Sequence, residues 1–186
     1  MDIRCSVFIA TSLDGFIARS DGAIDWLTDP ANVDASEDYG YKAFIDSVDT
    51  LVVGRKTYEL ALTFKEWSYA GKKVVVLSSG SPNVPENLSG SVEIMSGAPV
   101  ELLRRLSQRG ARHCYVDGGK TIQGFLNAGL IHEMIITRIP VLIGDGIPLF
   151  GKLDRDARFQ HIETKVYENG FVQSKYRAKY PSTAPG

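Results

Sequence analysis

An open α/β sheet, mainly parallel and flanked by helices on both faces, is the fold class this sequence predicts, and three observations predict it. Short β-branched runs alternate with amphipathic segments through the first two thirds of the chain, the pattern of strand-helix-strand units. Turns rich in glycine or serine follow three of those runs, after Val53, Leu77 and Val116, at the strand ends where ligands of such sheets bind. The last third changes to long strand-like stretches joined by Glu168-Asn169-Gly170, which predicts an antiparallel hairpin at the edge of the parallel core.

Taken in order, Cys5 to Ala10 is a nearly continuous apolar run suited to a buried central strand. The segment after it carries turn residues twice, at Asp14-Gly15 and Asp21-Gly22, yet holds Phe16, Ile17 and Trp26. That loop is too apolar for open solvent and is expected to fold over a ligand or cap the core. Asp34-x-x-Glu37 resembles a helix start, and Tyr41, Phe44, Ile45 and Val48 follow at helical spacing. Thr50 to Val53 predicts a strand, Arg55 to about Thr63 a helix, and Lys73 to Leu77 and Val92 to Met95 two more strands. Pro99 suits a first helical position, with Val100, Leu103 and Leu106 on one face and Gly110 beyond the end. His113 to Val116 is a strand and Ile122, Phe125 and Leu126 mark a helix closing at Gly129. Glu133 to Ile143, Arg158 to Tyr167 and Gly170 to Tyr180 complete the strands, and 181–186 is expected to fray. One domain over residues 1–180 follows.

Composition narrows the function. A formal net charge of −1 on 186 residues provides no broad basic field for nucleic acid. Cys5 and Cys114 lie far apart without metal-ligand spacing, and the N-terminus runs straight into a strand without an export signal. A reduced cytoplasmic protein without a metal is the expectation. Gly144-Asp145-Gly146 lacks the third glycine of a dinucleotide fingerprint, and a P-loop ending at Gly119-Lys120-Thr121 would need a glycine where Cys114 stands.

Val52-Val53-Gly54-Arg55-Lys56-Thr57-Tyr58-Glu59 delivers a strand into a glycine, two cations and a hydroxyl. Such a turn can hold a phosphate or can simply connect strand to helix. Asp117-Gly118-Gly119-Lys120-Thr121 repeats the order of strand, glycine, cation and threonine, and Ser78-Ser79 ends a third strand. Their convergence favours one elongated, phosphate-bearing ligand.

These segments, with Ser12-Leu13-Asp14-Gly15-Phe16-Ile17-Ala18, Asp25-Trp26 and Pro140 to Phe150, resemble the dihydrofolate reductase superfamily. More closely they resemble the branch related to the reductase domain of bacterial riboflavin biosynthesis, from Ile3 to Tyr180. The resemblance implies a three-layer α/β/α fold on a mainly parallel sheet of about eight strands, binding NADPH. It puts Gly54, Arg55, Lys56, Thr57, Leu77, Ser78 and Ser79 on the adenosine end and its 2′-phosphate, and Gly118, Gly119, Lys120, Thr121 and Ile122 on the pyrophosphate. It puts Ala10, Ile17 and Ala18 beside the nicotinamide and implies, as in many family members, a cis peptide between the two glycines.

The implied reaction is hydride transfer to a small C=N or C=O substrate, such as a pteridine or a ribosylaminopyrimidine. Asp14 and Asp25 are the candidate acids, with Asp38 a third, and each is also a turn, cap or surface residue by its sequence setting. Trp26 and Tyr58 are candidate substrate contacts, Tyr58 equally a packing residue. The zinc signature of a deaminase is missing, so a free-standing reductase is expected. Family members pair subunits through the last strands, which implies a homodimer. The alternative is a regulatory nucleotide-binding module without turnover.

Overall fold

The computed structural model describes residues 2–29, 33–34 and 36–179, and the expected frayed tail lies outside them. The first half of the chain forms β1 (Arg4–Thr11), β2 (Phe16–Ala18), α1 (Asp25–Thr28), α2 (Tyr41–Asp46), β3 (Thr50–Gly54), α3 (Arg55–Ala61), β4 (Lys73–Leu77) and β5 (Val92–Met95). The second half forms α4 (Pro99–Gln108), β6 (His113–Asp117), α5 (Gly119–Asn127), β7 (Glu133–Arg138), β8 (Ile147–Pro148), β9 (Phe159–Val166) and β10 (Val172–Ala178). Eight strands make one sheet in the order β5-β4-β3-β6-β1-β7-β10-β9. It is parallel from β5 to β7, and β10 runs antiparallel to both of its neighbours.

The continuous β-branched runs are where they are because both faces of the sheet are covered. Leu51, Val52 and Val53 are fully buried, and burying a side chain of this size contributes about 1.5–3 kcal/mol. Ile122 and Phe125 of α5 and Leu102, Leu103 and Leu106 of α4 pack on one face. Phe44 of α2 and Tyr58 and Ala61 of α3 pack on the other. A third cluster, Trp26, Ile139 and Phe171, lies beyond the end of β7. Since β3, β6 and β1 are neighbours, their C-terminal ends form one continuous rim.

Four expectations need correction. Val100 is 38% exposed, and Leu102 joins Leu103 and Leu106 in the buried stripe, because Leu102 and Leu106 stand one turn apart. The strand from Glu133 ends at Arg138, not Ile143: the Ile139 amide donates to Thr11 O at 2.8 Å, Pro140 has no N–H, and Val141 turns back onto Ile139 O at 2.8 Å. The helix expected from Asp34 starts at Tyr41, since Tyr39 (φ 55°) and Gly40 (φ 80°) occupy the left-handed region. No cis peptide occurs among the described residues. The hairpin is present, with Gly170 at φ 83° and the Tyr167 amide donating to Phe171 O at 2.9 Å. No described helix is long and apolar enough to cross a membrane.

Candidate active site

Over the C-terminal ends of the strands lies a cleft of about 1620 Å³. Every residue expected at the cofactor lines it except Ile122, which is fully buried in the core and gives its amide to Gly118 O at 2.8 Å. Its helix position, facing the sheet, is the reason.

The two glycine turns, similar in sequence, interlock in space. A Cβ on Gly54 would lie 2.9 Å from Thr121 Oγ1, and a Cβ on Gly118 would lie 2.5 Å from Thr57 Oγ1. Each turn's glycine therefore receives the other turn's threonine. Gly118 also holds φ +94°, a conformation that favours glycine. The pairing sets the starts of α3 and α5 side by side, and the N–H groups of the first turn of α5 face the cleft without intrahelical acceptors. Arg55, Lys56 and Lys120 are the cations of this end. Arg55 Nε donates to Glu59 Oε1 at 2.6 Å, and its Nη1 lies 3.9 Å from where a Gly80 Cβ would be, beside the Ser78 hydroxyl that accepts from the Gly80 amide at 3.1 Å. Ile17 of β2 and Ile147 of β8 cover Gly119, each 3.1–3.2 Å from its added Cβ.

The candidate acids from the sequence lie elsewhere. Asp14 is outside the cleft lining; it accepts from Ser12 Oγ at 2.6 Å and the Gly144 amide at 2.8 Å, and clasps the β1–β2 loop to the loop before β8. The Ser12 hydroxyl, then the Gly144 and Ile143 amides, hold its carboxyl below the usual range, so it is not a proton donor. Asp25 forms an exposed two-pronged pair with Arg19 at 2.6 and 2.8 Å, which depresses its carboxyl as well. Asp25→Asn is expected to leave turnover within about twofold of the parent, an outcome steady-state kinetics would check. Asp38 does line the cleft, but the Gly40 and Lys42 amides bind its carboxylate at 2.8 and 3.0 Å and hold it ionised. Tyr58 is fully buried and donates to Asn83 O at 3.0 Å. Trp26 is buried behind Leu27 and Ile139 and does not line the cleft.

The carboxyl in the cleft whose pKa is raised is Asp117, at the last position of β6. Burial drives its pKa up to about 6, against the pull of the Gly118 amide, which donates to Asp117 Oδ1 at 2.7 Å. Around it stand Tyr41, Tyr69 and Tyr115, whose phenols are pushed up first by burial and next by the Asp117 charge. Tyr115 donates its proton to Phe8 O at 2.8 Å. In the sequence Asp117 stands in the phosphate turn with no role of its own. The available signal was electrostatic, since an aspartate beside a pyrophosphate is unfavourable unless it is neutral or serves another end of the ligand.

Tyr39 forms the far wall, held in its left-handed conformation by stacking on Phe171 at 5.2 Å and by hydrogen bonds from Asn169 Nδ2 at 2.8 Å and Gln173 Nε2 at 3.0 Å. Backbone strain of this kind is sustained only where the surroundings fix it.

A profile of the RibD C-terminal domain matches residues 5–173. The Bacillus subtilis protein YwjB is 34% identical over 168 residues, 90% of this chain and 94% of that protein. A crystal structure from Shewanella sp. PV-4, described as a riboflavin biosynthesis protein, superposes with a TM-score of 0.85 at 41% identity, covering 96% of this chain and all of that one. Dihydrofolate reductase from Enterococcus faecalis superposes with a TM-score of 0.66 over 95% of this chain and 97% of that one. At 16% identity, that likeness shows the fold alone. With its dihydrofolate reductase-like sheet and the profile match along nearly its whole length, the chain belongs to the RibD C-terminal domain family.

Proposed function

We propose that this protein is an NADPH-dependent reductase of a small C=N or C=O substrate, with Asp117 as the acid that supplies the proton. The observation that carries the proposal is the placement of Asp117, with its raised pKa of about 6, in the same cleft as the two interlocked glycine turns. A non-catalytic nucleotide-binding module would need the turns but not a carboxyl kept ready to hold a proton at the other end. That carboxyl favours an enzyme.

The residues present fit the cofactor. Gly54 and Gly118 leave a cradle that a side chain would fill, the start of α5 offers amides to a pyrophosphate, and Arg55, Lys56 and Ser78 offer charge and a hydroxyl to a 2′-phosphate. NADPH, when bound, supplies the hydride. The chain's part is to orient and to protonate: Ala10, Ile17 and Ala18 form a wall at the end of β1 and in β2 that keeps water from the reacting face. Asp117 holds its proton in a partly apolar setting until the substrate nitrogen or oxygen takes it.

Calorimetric titration with NADPH and then NADH tests the cofactor half. Arg55→Ala is expected to weaken NADPH by about tenfold to a hundredfold and NADH by less than threefold. Equal losses would remove Arg55 from 2′-phosphate recognition. Oxidation of NADPH, followed by its absorbance against pteridine, aminopyrimidine and quinone acceptors, tests the reductase half. A reducing, cytoplasmic setting is part of the proposal, in keeping with two free, buried cysteines on adjacent strands. So is a homodimer through the C-terminal strands, for which the outer edge of β9, with Ile162 and Val166 exposed, is the available surface.

A further inference from the structure

We infer that the substrate end of the cleft is built for a flat, uncharged ring system and against a phosphorylated one. The inference rests on the reductase reading above and narrows it, because the family resemblance alone leaves both pteridine-like and phosphoribosyl substrates open.

Charge in the cleft is divided. Its lining cations are Arg55, Lys56 and Lys120, all in the two glycine turns, at the ends of β3 and β6. Beyond Asp117, toward the ends of β1 and β7 and the α2 side of the sheet, no lysine or arginine lines the cleft among the described residues, whereas Asp38 and Asp117 do. Two lysines act on Asp38 from outside the lining. Lys42 is tied to Asp46 at 3.0 Å, and Lys165 lies over the Tyr167 ring at 5.3 Å. Neither lines the cleft. A phosphate dianion at this end would thus lose water, meet carboxylates and gain no cation, an arrangement that rejects anions.

The walls suit a ring. On one side Phe8 and Tyr41 meet edge to face, centroids 5.6 Å apart, backed by the core cluster under α2 and α3. On the other, Tyr39 stacks on Phe171, backed by Trp26 and Ile139. Both pairs are packed against buried clusters, which holds their rings in place without a ligand. Aromatic side chains lining a cleft contact a planar heterocycle well, and the Asp117 carboxyl in the same lining can supply a hydrogen bond to one ring edge. The same acid that would donate the proton therefore also selects the class of substrate.

The test uses 6-hydroxymethylpterin and its phosphomonoester, which share a ring and differ by the phosphate, each titrated calorimetrically into protein saturated with NADP+. The parent pterin is expected to bind at least tenfold more tightly than the ester. Val33 lines the cleft and, like Tyr39, packs against the Trp26, Ile139 and Phe171 cluster, so Val33→Lys places a cation at this end; it should narrow the gap at least threefold. Equal or tighter binding of the ester to the parent protein overturns the inference. Failure of both pterins to bind while NADP+ binds overturns it too and leaves the cofactor reading standing. Failure of NADP+ to bind defeats the reductase reading instead, and the same pair titrated into cofactor-free protein still decides whether the cleft discriminates against phosphate.

Discussion

Gly118→Val is expected to lower NADPH affinity at least a hundredfold while most of the sheet stays folded. The added Cβ would lie 2.5 Å from Thr57 Oγ1 and 3.6 Å from the Gly54 amide nitrogen, at a φ of +94° that a β-branched residue avoids. With ψ at 135° this backbone also lies outside the left-handed helical region, a sparsely populated conformation that costs about 1–3 kcal/mol, and the overlap with Thr57 can be relieved only by moving the two turns apart. Because each glycine receives the other turn's threonine, that movement displaces both turns together. Gly54→Ala provides the contrast: its φ is −73°, and its Cβ meets only the Thr121 hydroxyl at 2.9 Å, so a smaller loss is expected. Circular dichroism and thermal melting would establish folding, and calorimetry the affinity. Retention of NADPH binding within threefold in a folded Gly118→Val protein would return these turns to a purely structural role. If that variant fails to fold, Gly119→Val decides: its Cβ meets the ends of Ile17 and Ile147 at 3.1 and 3.2 Å, side chains that can yield, and it should still lower affinity by blocking the approach to α5.

What was legible in the sequence follows from which interactions are local. The buried strands announce themselves as β-branched runs because both sheet faces are covered, as at Leu51 to Val53 and Val74 to Val76. The glycine turns were legible for a similar reason, since close backbone approach needs a particular residue type at one position. Their reciprocal fit was not, because it joins Gly54 to Thr121 and Gly118 to Thr57 across sixty or so residues. The two-stranded β2–β8 pair leaves no sequence pattern either. Phe16 and Ala18 pair with Pro148 and Ile147 with a shift of register, too short for any periodicity to form.

The carboxylates show the limit most clearly. Asp14, Asp25 and Asp117 are each a short acid beside a loop in the sequence, and what separates them is the set of distant partners. Asp14 finds Ser12 and Gly144, Asp25 finds Arg19, and both are held ionised. Asp117 finds mainly tyrosines and burial, and its pKa is raised to about 6. The tertiary fold assigns these environments, so no spacing rule could have ranked the three.

Asp117→Asn separates the roles of that carboxyl. The substitution keeps the shape and the oxygen that accepts from the Gly118 amide at 2.7 Å but removes the proton. Loss of a positioned acid costs about 10²–10⁴ in rate, so kcat should fall by at least about a hundredfold, with NADPH affinity changed much less because the phosphate turns are untouched. The parent enzyme should be most active below its Asp117 pKa of about 6, its rate falling tenfold per pH unit above it, whereas the residual activity of Asp117→Asn should be flat through that range. Stability also falls with rising pH, over a lower window. The folded pKa lies above the unfolded value of 3.8, so the native state binds more protons between those limits, and stability declines as pH rises from about 4 to about 6 and then levels off. Asparagine carries no such penalty. The variant should match the parent near pH 4 and exceed it at pH 8 by about 1–3 kcal/mol, read from melting curves at both pH values. A stabilised but inactive protein would mark Asp117 as a group held against its own solvation for the sake of proton transfer. Full turnover with an unchanged pH profile would instead make its buried charge a feature of the fold alone.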